Sequence, residues 1–179
     1  TLFTPLTNSF RAGVSFSKPI EKKLHKSLEQ YFEKEDYLKK ELQVSDSILY
    51  KTNSYFYHVE NRSQTQDVYL VITIANGCKL GGCDIEHGQE EEFEQFYVLS
   101  LFTEESKLVA LKIIDYPSEH GYEVTSKWWL KQFIKHQGES YEYAKNIDGI
   151  SGATVSAKSM IREMGVIQKS MPSIISNHK

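Results

Sequence analysis

Apolar residues recur along this chain at two spacings, and the switches between them predict its elements. Residues 1–16 carry neither; polar and irregular, with Pro5, Asn8 and Gly13, they read as a mobile arm. From Lys18, Ile20, Leu24, Leu28, Tyr31 and Phe32 keep helical spacing against Lys and Glu, with Pro19 in the first turn. That predicts an amphipathic helix ending near Leu42. The period then falls to two. Tyr55, Tyr57 and Val59 alternate as a half-buried strand, and the β-branched run from Val68 to Ala75 predicts the next, joined through a hairpin loop at Asn61–Gln66. Phe96–Thr103 and Lys107–Ile114 predict a second pair, turned by Glu104, Glu105 and Ser106. A helix capped by Thr125 or Ser126 follows, with Trp129 over Phe133 and Leu130 over Ile134 as core pairs. A last helix starts at Thr154. Ala157, Met160, Ile161, Met164, Ile167 and Met171 form its apolar stripe, Lys158, Arg162, Glu163 and Lys169 lie mostly off it, and Pro172 stops or kinks it near its end. The order predicts an α+β fold, an antiparallel sheet with flanking helices.

The remaining composition narrows the picture. A length of 179 residues suits one domain with a real core, with residues 1–50 as an N-terminal arm and amphipathic helix packed on a domain of residues 51–179. A net charge of −3 and a pI near 6.1 give no electrostatic footprint for nucleic acid. The longest apolar run is far short of a membrane span. Glu86, Glu90, Glu91, Glu92 and Glu94 read as a solvated acidic loop.

The most informative stretch is Asp148-Gly149-Ile150-Ser151-Gly152-Ala153-Thr154, opening the last helix. The first turn of a helix leaves backbone N–H groups unpaired at the positive end of the macrodipole, a natural seat for phosphate. Gly152 and Ala153 keep the approach clear of bulk. An ordinary Ser/Thr N-cap explains one hydroxyl, but Ser151, Thr154 and Ser156 are a surplus over one cap.

Asp148-x-x-Ser151-Gly152-Ala153-Thr154 resembles the flavinylation motif of FMN-binding domains, such as the C subunit of the Na+-pumping NADH:quinone reductase and the G subunit of the Rnf complex. In that family a flavin transferase joins FMN through its phosphate to the hydroxyl of the last motif residue. The resemblance therefore implies Thr154 as acceptor, with Asp148, Ser151, Gly152, Ala153 and the following Val155 as transferase-read sequence and phosphate bed. Upstream, Tyr116–Val124 followed by Trp128–Phe133 resembles the family's flavin loop and its helix, which implies ring contacts from His120, Gly121, Tyr122 and Glu123. Gly77–Cys83 sits where relatives carry a glycine-rich strand end. The resemblance covers roughly the C-terminal two-thirds of the chain. One departure stands out: many relatives have a Glu-Thr-Pro-Gly-type loop, and this chain has Glu119-His120-Gly121-Tyr122.

Cys78 and Cys83 flank Gly81-Gly82 and leave three readings open. The leading one is a short-loop disulfide in an oxidising compartment. The others are a dithiol exchanging electrons with the flavin, and a zinc site of Cys78, Cys83 and His87 with His58 as a distant fourth ligand.

The resemblance implies an extracytoplasmic electron carrier with FMN esterified to Thr154, working with a flavin transferase, redox partner proteins and a membrane electron-transport complex. A mature or trimmed form is expected, since the chain opens without Met or a signal-like apolar segment, and the resemblance implies a precursor with an export signal or lipid anchor. The cofactor carries the chemistry, so an electron-transfer module is favoured over a free-standing enzyme. Two other classes remain. One is a module that holds a phosphoryl ligand or flavin without a covalent bond. The other is a serine hydrolase at Ser151 or Ser156, for which Ser156-Ala157-Lys158 lacks the S-x-x-K spacing.

Overall fold

Five antiparallel strands pair in chain order to form one sheet, β1-β2-β3-β4-β5, with helices on both faces. The computed structural model describes residues 15–32, 37–61, 66–79, 93–118 and 120–179. Its elements are α1 (Lys18–Phe32), β1 (Tyr37–Glu41), α2 (Asp46–Leu49), β2 (Ser54–Asn61), β3 (Val68–Lys79), β4 (Phe93–Phe102), β5 (Leu108–Asp115), a 3-10 turn (Tyr122–Thr125), α3 (Lys127–Lys135) and α4 (Thr154–Ser176). The fold is α+β, as the two periodicities predict.

Alternation along β3 divides the interior in two. Val68, Leu70 and Ile72 face α1, where Ile20, Leu24, Leu28 and Phe32 cover them. Tyr69, Val71 and Ala75 face the opposite core, built with Trp129, Leu130 and Phe133 of α3 and Ala157, Met160, Met164 and Ile167 of α4. Successive side chains of a strand leave opposite faces, so a central strand covered on both sides is apolar throughout. α4 runs along β3: the Asn76 N–H donates to Ser159 Oγ at 3.0 Å, which satisfies strand backbone lying beyond the end of the β2 pairing at Ser54–Thr73.

Five local expectations need correction. The first helix stops at Phe32 instead of Leu42, and Tyr37–Glu41 forms β1 on the sheet edge, pairing Tyr37 with Asn61 through Glu41 with Tyr57. The apolar helical period ends at Phe32, and the polar residues beyond it are stabilised by strand pairing at an edge. β3 continues past Ala75 to Lys79, so Gly77 and Cys78 are strand residues. The arm is ordered at its end: Phe16 is buried, edge-on to Tyr55 and Tyr97. Pro172 does not stop α4, which runs to Ser176 because Ile174 and Ile175 are buried beyond it. Glu163 is buried, at 2 % exposure; its carboxylate accepts from Thr52 Oγ1 at 2.6 Å and pairs with Arg162. Thr52 in turn reaches Ser54, and Ser54 reaches Thr73, so a buried polar chain ties α4 to β2 and β3. Residues 62–65 of the hairpin loop and the acidic run through Glu92 lie outside the described residues.

Candidate functional site

The site forms where α4 begins, and its turn is held from below by α3. The Trp129 indole N–H donates to the Asp148 carbonyl at 2.8 Å, and the Asp148 N–H donates to Gln132 Oε1 at 2.9 Å. Trp129 is fully buried beside Phe133, with ring centroids 5.1 Å apart, so the first motif residue is fastened to a rigid core group. Ile147 and Ile150 are buried on either side of Asp148. Ser151 and Gly152 then stand exposed, Gly152 at φ 77°, before Ala153 turns fully inward.

Ala153 occupies the N-cap position of α4, and no side chain caps the helix. The plain alternative of a Ser/Thr N-cap is therefore not what the helix start shows, because Ser151 lies before the cap and Thr154 is already the first helical residue. The ladder begins with the Ala157 N–H donating to the Ala153 carbonyl at 2.9 Å. The N–H groups of Thr154, Val155 and Ser156 precede that bond, so they belong to the donors a helix start leaves open. Thr154 and Val155 are half-buried, and Thr154 Oγ1 lies 3.5 Å from the Tyr143 hydroxyl. Tyr143 is seated by Gly149: a Cβ there would stand 3.0 Å from its hydroxyl and 3.1 Å from Cζ.

The upstream loop meets this turn directly. Gly121 has φ 74°, and a Cβ on it would come within 2.6 Å of the Ala153 Cβ and 3.0 Å of the Tyr116 hydroxyl. Only a residue without a side chain fits that approach and that backbone conformation. The Tyr116 hydroxyl donates to the His120 carbonyl at 2.8 Å and lies 2.9 Å from Ser156 Oγ, so a single phenol links loop and helix. Burial pushes that phenol above its ordinary value, although the bond to Ser156 pulls the other way. Ser156 is fully buried, so it serves this link and is poorly placed as a hydrolytic nucleophile. His120 and Glu123 are exposed, and Tyr122 is 65 % exposed, its ring centroid 6.2 Å from that of Tyr116. Trp128, at 56 % exposure, adds a second solvent-facing aromatic at the start of α3. Glu119 lies outside the described residues.

Cys78 is fully buried and disulfide-bonded. Its Sγ lies 3.9 Å from Ser156 Oγ and 4.0 Å from the Gly152 carbonyl, beneath the turn that opens α4. A disulfide sulfur carries no hydrogen, so the approach to Gly152 is packing. Cys83 and His87 lie outside the described residues, and among those described no group of three or more His, Cys, Asp or Glu is placed to hold a metal.

The sequence pattern brought Asp148–Val155 and His120–Glu123 to one place but gave no role to three residues that assemble them. Tyr116 and Gln132 lie within the segments that resemble the family's loop and helix, yet nothing in their spacing shows which groups they tie, and Tyr143 carries no periodic or motif signal. The surplus hydroxyl at Ser156 was a further hint.

The sequence profile of the family described as FMN-binding domain matches residues 65–164. The chain belongs to the FMN-binding domain family. No curated protein and no solved structure matches it. The match runs from the β2–β3 connection through the first turns of α4 and takes in the loop and the turn just described. FMN is thus the cofactor of this domain. The residues present fit it: an uncapped helix start with open N–H donors for a phosphate, and a half-buried hydroxyl on the first helical residue.

Proposed function

We propose that this domain is an extracytoplasmic electron carrier whose FMN is joined through its phosphate to Thr154. The observation that carries the reading is the position of Thr154: first residue of an uncapped helix, reachable from solvent, on a turn fixed at Asp148 by Trp129 and Gln132. When bound, FMN supplies the one- and two-electron chemistry. The chain's own residues hold and orient. The N–H groups of the first turn face the phosphate anion, and Gly152 leaves its approach open. Gly121, pressed on Ala153, sets the 120–123 loop beside the anchor, so His120 and Tyr122 would be the loop side chains to contact the flavin ring. The exposed aromatics Tyr122 and Trp128 offer contact surface to a redox partner, a component of a membrane electron-transport complex.

The buried disulfide at Cys78 supports an oxidising compartment, and so a location outside the cytoplasm. Among the described residues no helix is long and apolar enough to cross a membrane.

The test is co-expression with a flavin transferase, followed by denaturation and intact-mass analysis. The parent is expected to keep its yellow colour when unfolded and to carry a flavin-phosphoryl mass on the Thr154 peptide. Thr154→Ala should lose both while its stability changes by no more than about 1 kcal/mol, the size of a helix-start contact. Colour that washes away on denaturation of the parent refutes the covalent reading and favours a non-covalent flavin module.

A further inference from the structure

Gly149 lies inside the motif, and what it makes room for is the ring of Tyr143. That ring is held in a tight segment, with Tyr143 bridged to Ile147, Ala144 at φ 57° and the Ala144 N–H donating to the Ile147 carbonyl at 2.8 Å. Its hydroxyl points at Thr154 Oγ1 from 3.5 Å. One helical turn beyond Thr154, Lys158 lies on the same face of α4, and helical side chains lean toward the N-terminus, over the preceding turn. The Lys158 ammonium sits 5.4 Å from the centroid of the Tyr143 ring. Lys145, two residues from Tyr143, pairs with Glu142, and Arg162, one turn beyond Lys158, pairs with Glu163. Lys158 is exposed and lies over the phenol face, within reach of an anion at Thr154.

We propose that Tyr143 and Lys158 form a phosphate-binding wall on the acceptor side of the flavin ester: the phenol orients Thr154 Oγ1 and donates to a phosphoryl oxygen, and the ammonium neutralises its charge. The inference rests on the reading of Thr154 as acceptor. In the transfer step the Thr154 Oγ1–P bond forms, and the P–O bond to the leaving phosphate of an activated flavin nucleotide donor breaks. The hydroxyl proton passes to the transferase or solvent, and no electrons change hands. A cation and a phenol donor at the phosphorus stabilise the charge that builds there, and afterwards they hold the ester.

The experiment follows flavin-phosphoryl incorporation over time by intact mass, with purified transferase and the full chain. The proteins are the parent, Tyr143→Phe, Lys158→Gln, Lys158→Arg and the surface control Lys169→Gln. The 31P resonance of the loaded protein is recorded for each. Lys158→Gln should slow incorporation roughly tenfold, the scale of one charge-assisted hydrogen bond. Lys158→Arg should restore most of the rate, Lys169→Gln should leave it unchanged, and both Tyr143→Phe and Lys158→Gln should shift the 31P signal. Circular dichroism keeps a misfolded variant from counting. Parental rates and an unmoved 31P resonance in both variants would overturn the proposal while leaving Thr154 as acceptor. A parent that gains no flavin mass overturns the acceptor reading and this inference with it.

Discussion

Gly121→Ala probes the contact that brings the 120–123 loop and the start of α4 together. Two effects add. A non-glycine residue at φ 74° takes on left-handed strain of about 1–2 kcal/mol. The new methyl would also stand 2.6 Å from the Ala153 Cβ and 3.1 Å from its Cα. Ala153 is fully buried and belongs to the α3–α4 core, so it cannot simply swing aside. Overpacking of this kind costs about 1–3 kcal/mol. The sum is about 2–5 kcal/mol, a fall in melting temperature of roughly 4–20 °C for a chain of this length. Gly138 and Gly152 supply internal controls: both have positive φ, 90° and 77°, and nothing within 4 Å of an added Cβ. Their alanine variants should show the strain alone. Urea unfolding monitored by tryptophan fluorescence and circular dichroism measures all three. If Gly121→Ala matches the two controls within about 0.5 kcal/mol, the close approach of loop and helix is wrong.

Two further outcomes follow from the same contacts. Trp129→Phe removes the donor to the Asp148 carbonyl, and should destabilise the fold by about 1–3 kcal/mol while speeding amide hydrogen exchange across Ile150–Thr154; unchanged exchange there would mean the indole does not hold the turn. Burial raises the phenols of Tyr57, Tyr116 and Tyr141 above their ordinary value. The unfolded chain releases those protons near pH 10 while the folded chain keeps them, so the native state binds more protons and stability falls as pH rises past about 10. Urea midpoints at neutral and alkaline pH, alongside tyrosinate absorbance, test this; all eleven tyrosines ionising as one class in the folded protein would refute it.

Local pattern carried a large share of this protein. The amphipathic stripe of α1, the strand alternation and the small-residue run before Thr154 are encoded within a few residues of one another, because helix and strand periods depend on nearest neighbours. The motif at Asp148–Thr154 was legible for the same reason. Tertiary structure decided what those signals could not reach. Glu163 reads as a surface charge until Thr52, 111 residues earlier, supplies its buried partner. Tyr37–Glu41 has no apolar alternation and becomes a strand only because β2 offers a free edge. Gly121, Tyr116 and Ser156 are far apart in the chain, yet packing sets Gly121 against Ala153 and the Tyr116 hydroxyl and brings that hydroxyl to Ser156. A helix start is written in the chain; which tyrosine, indole and glycine surround it is set by long-range packing, whose contacts leave no periodic trace.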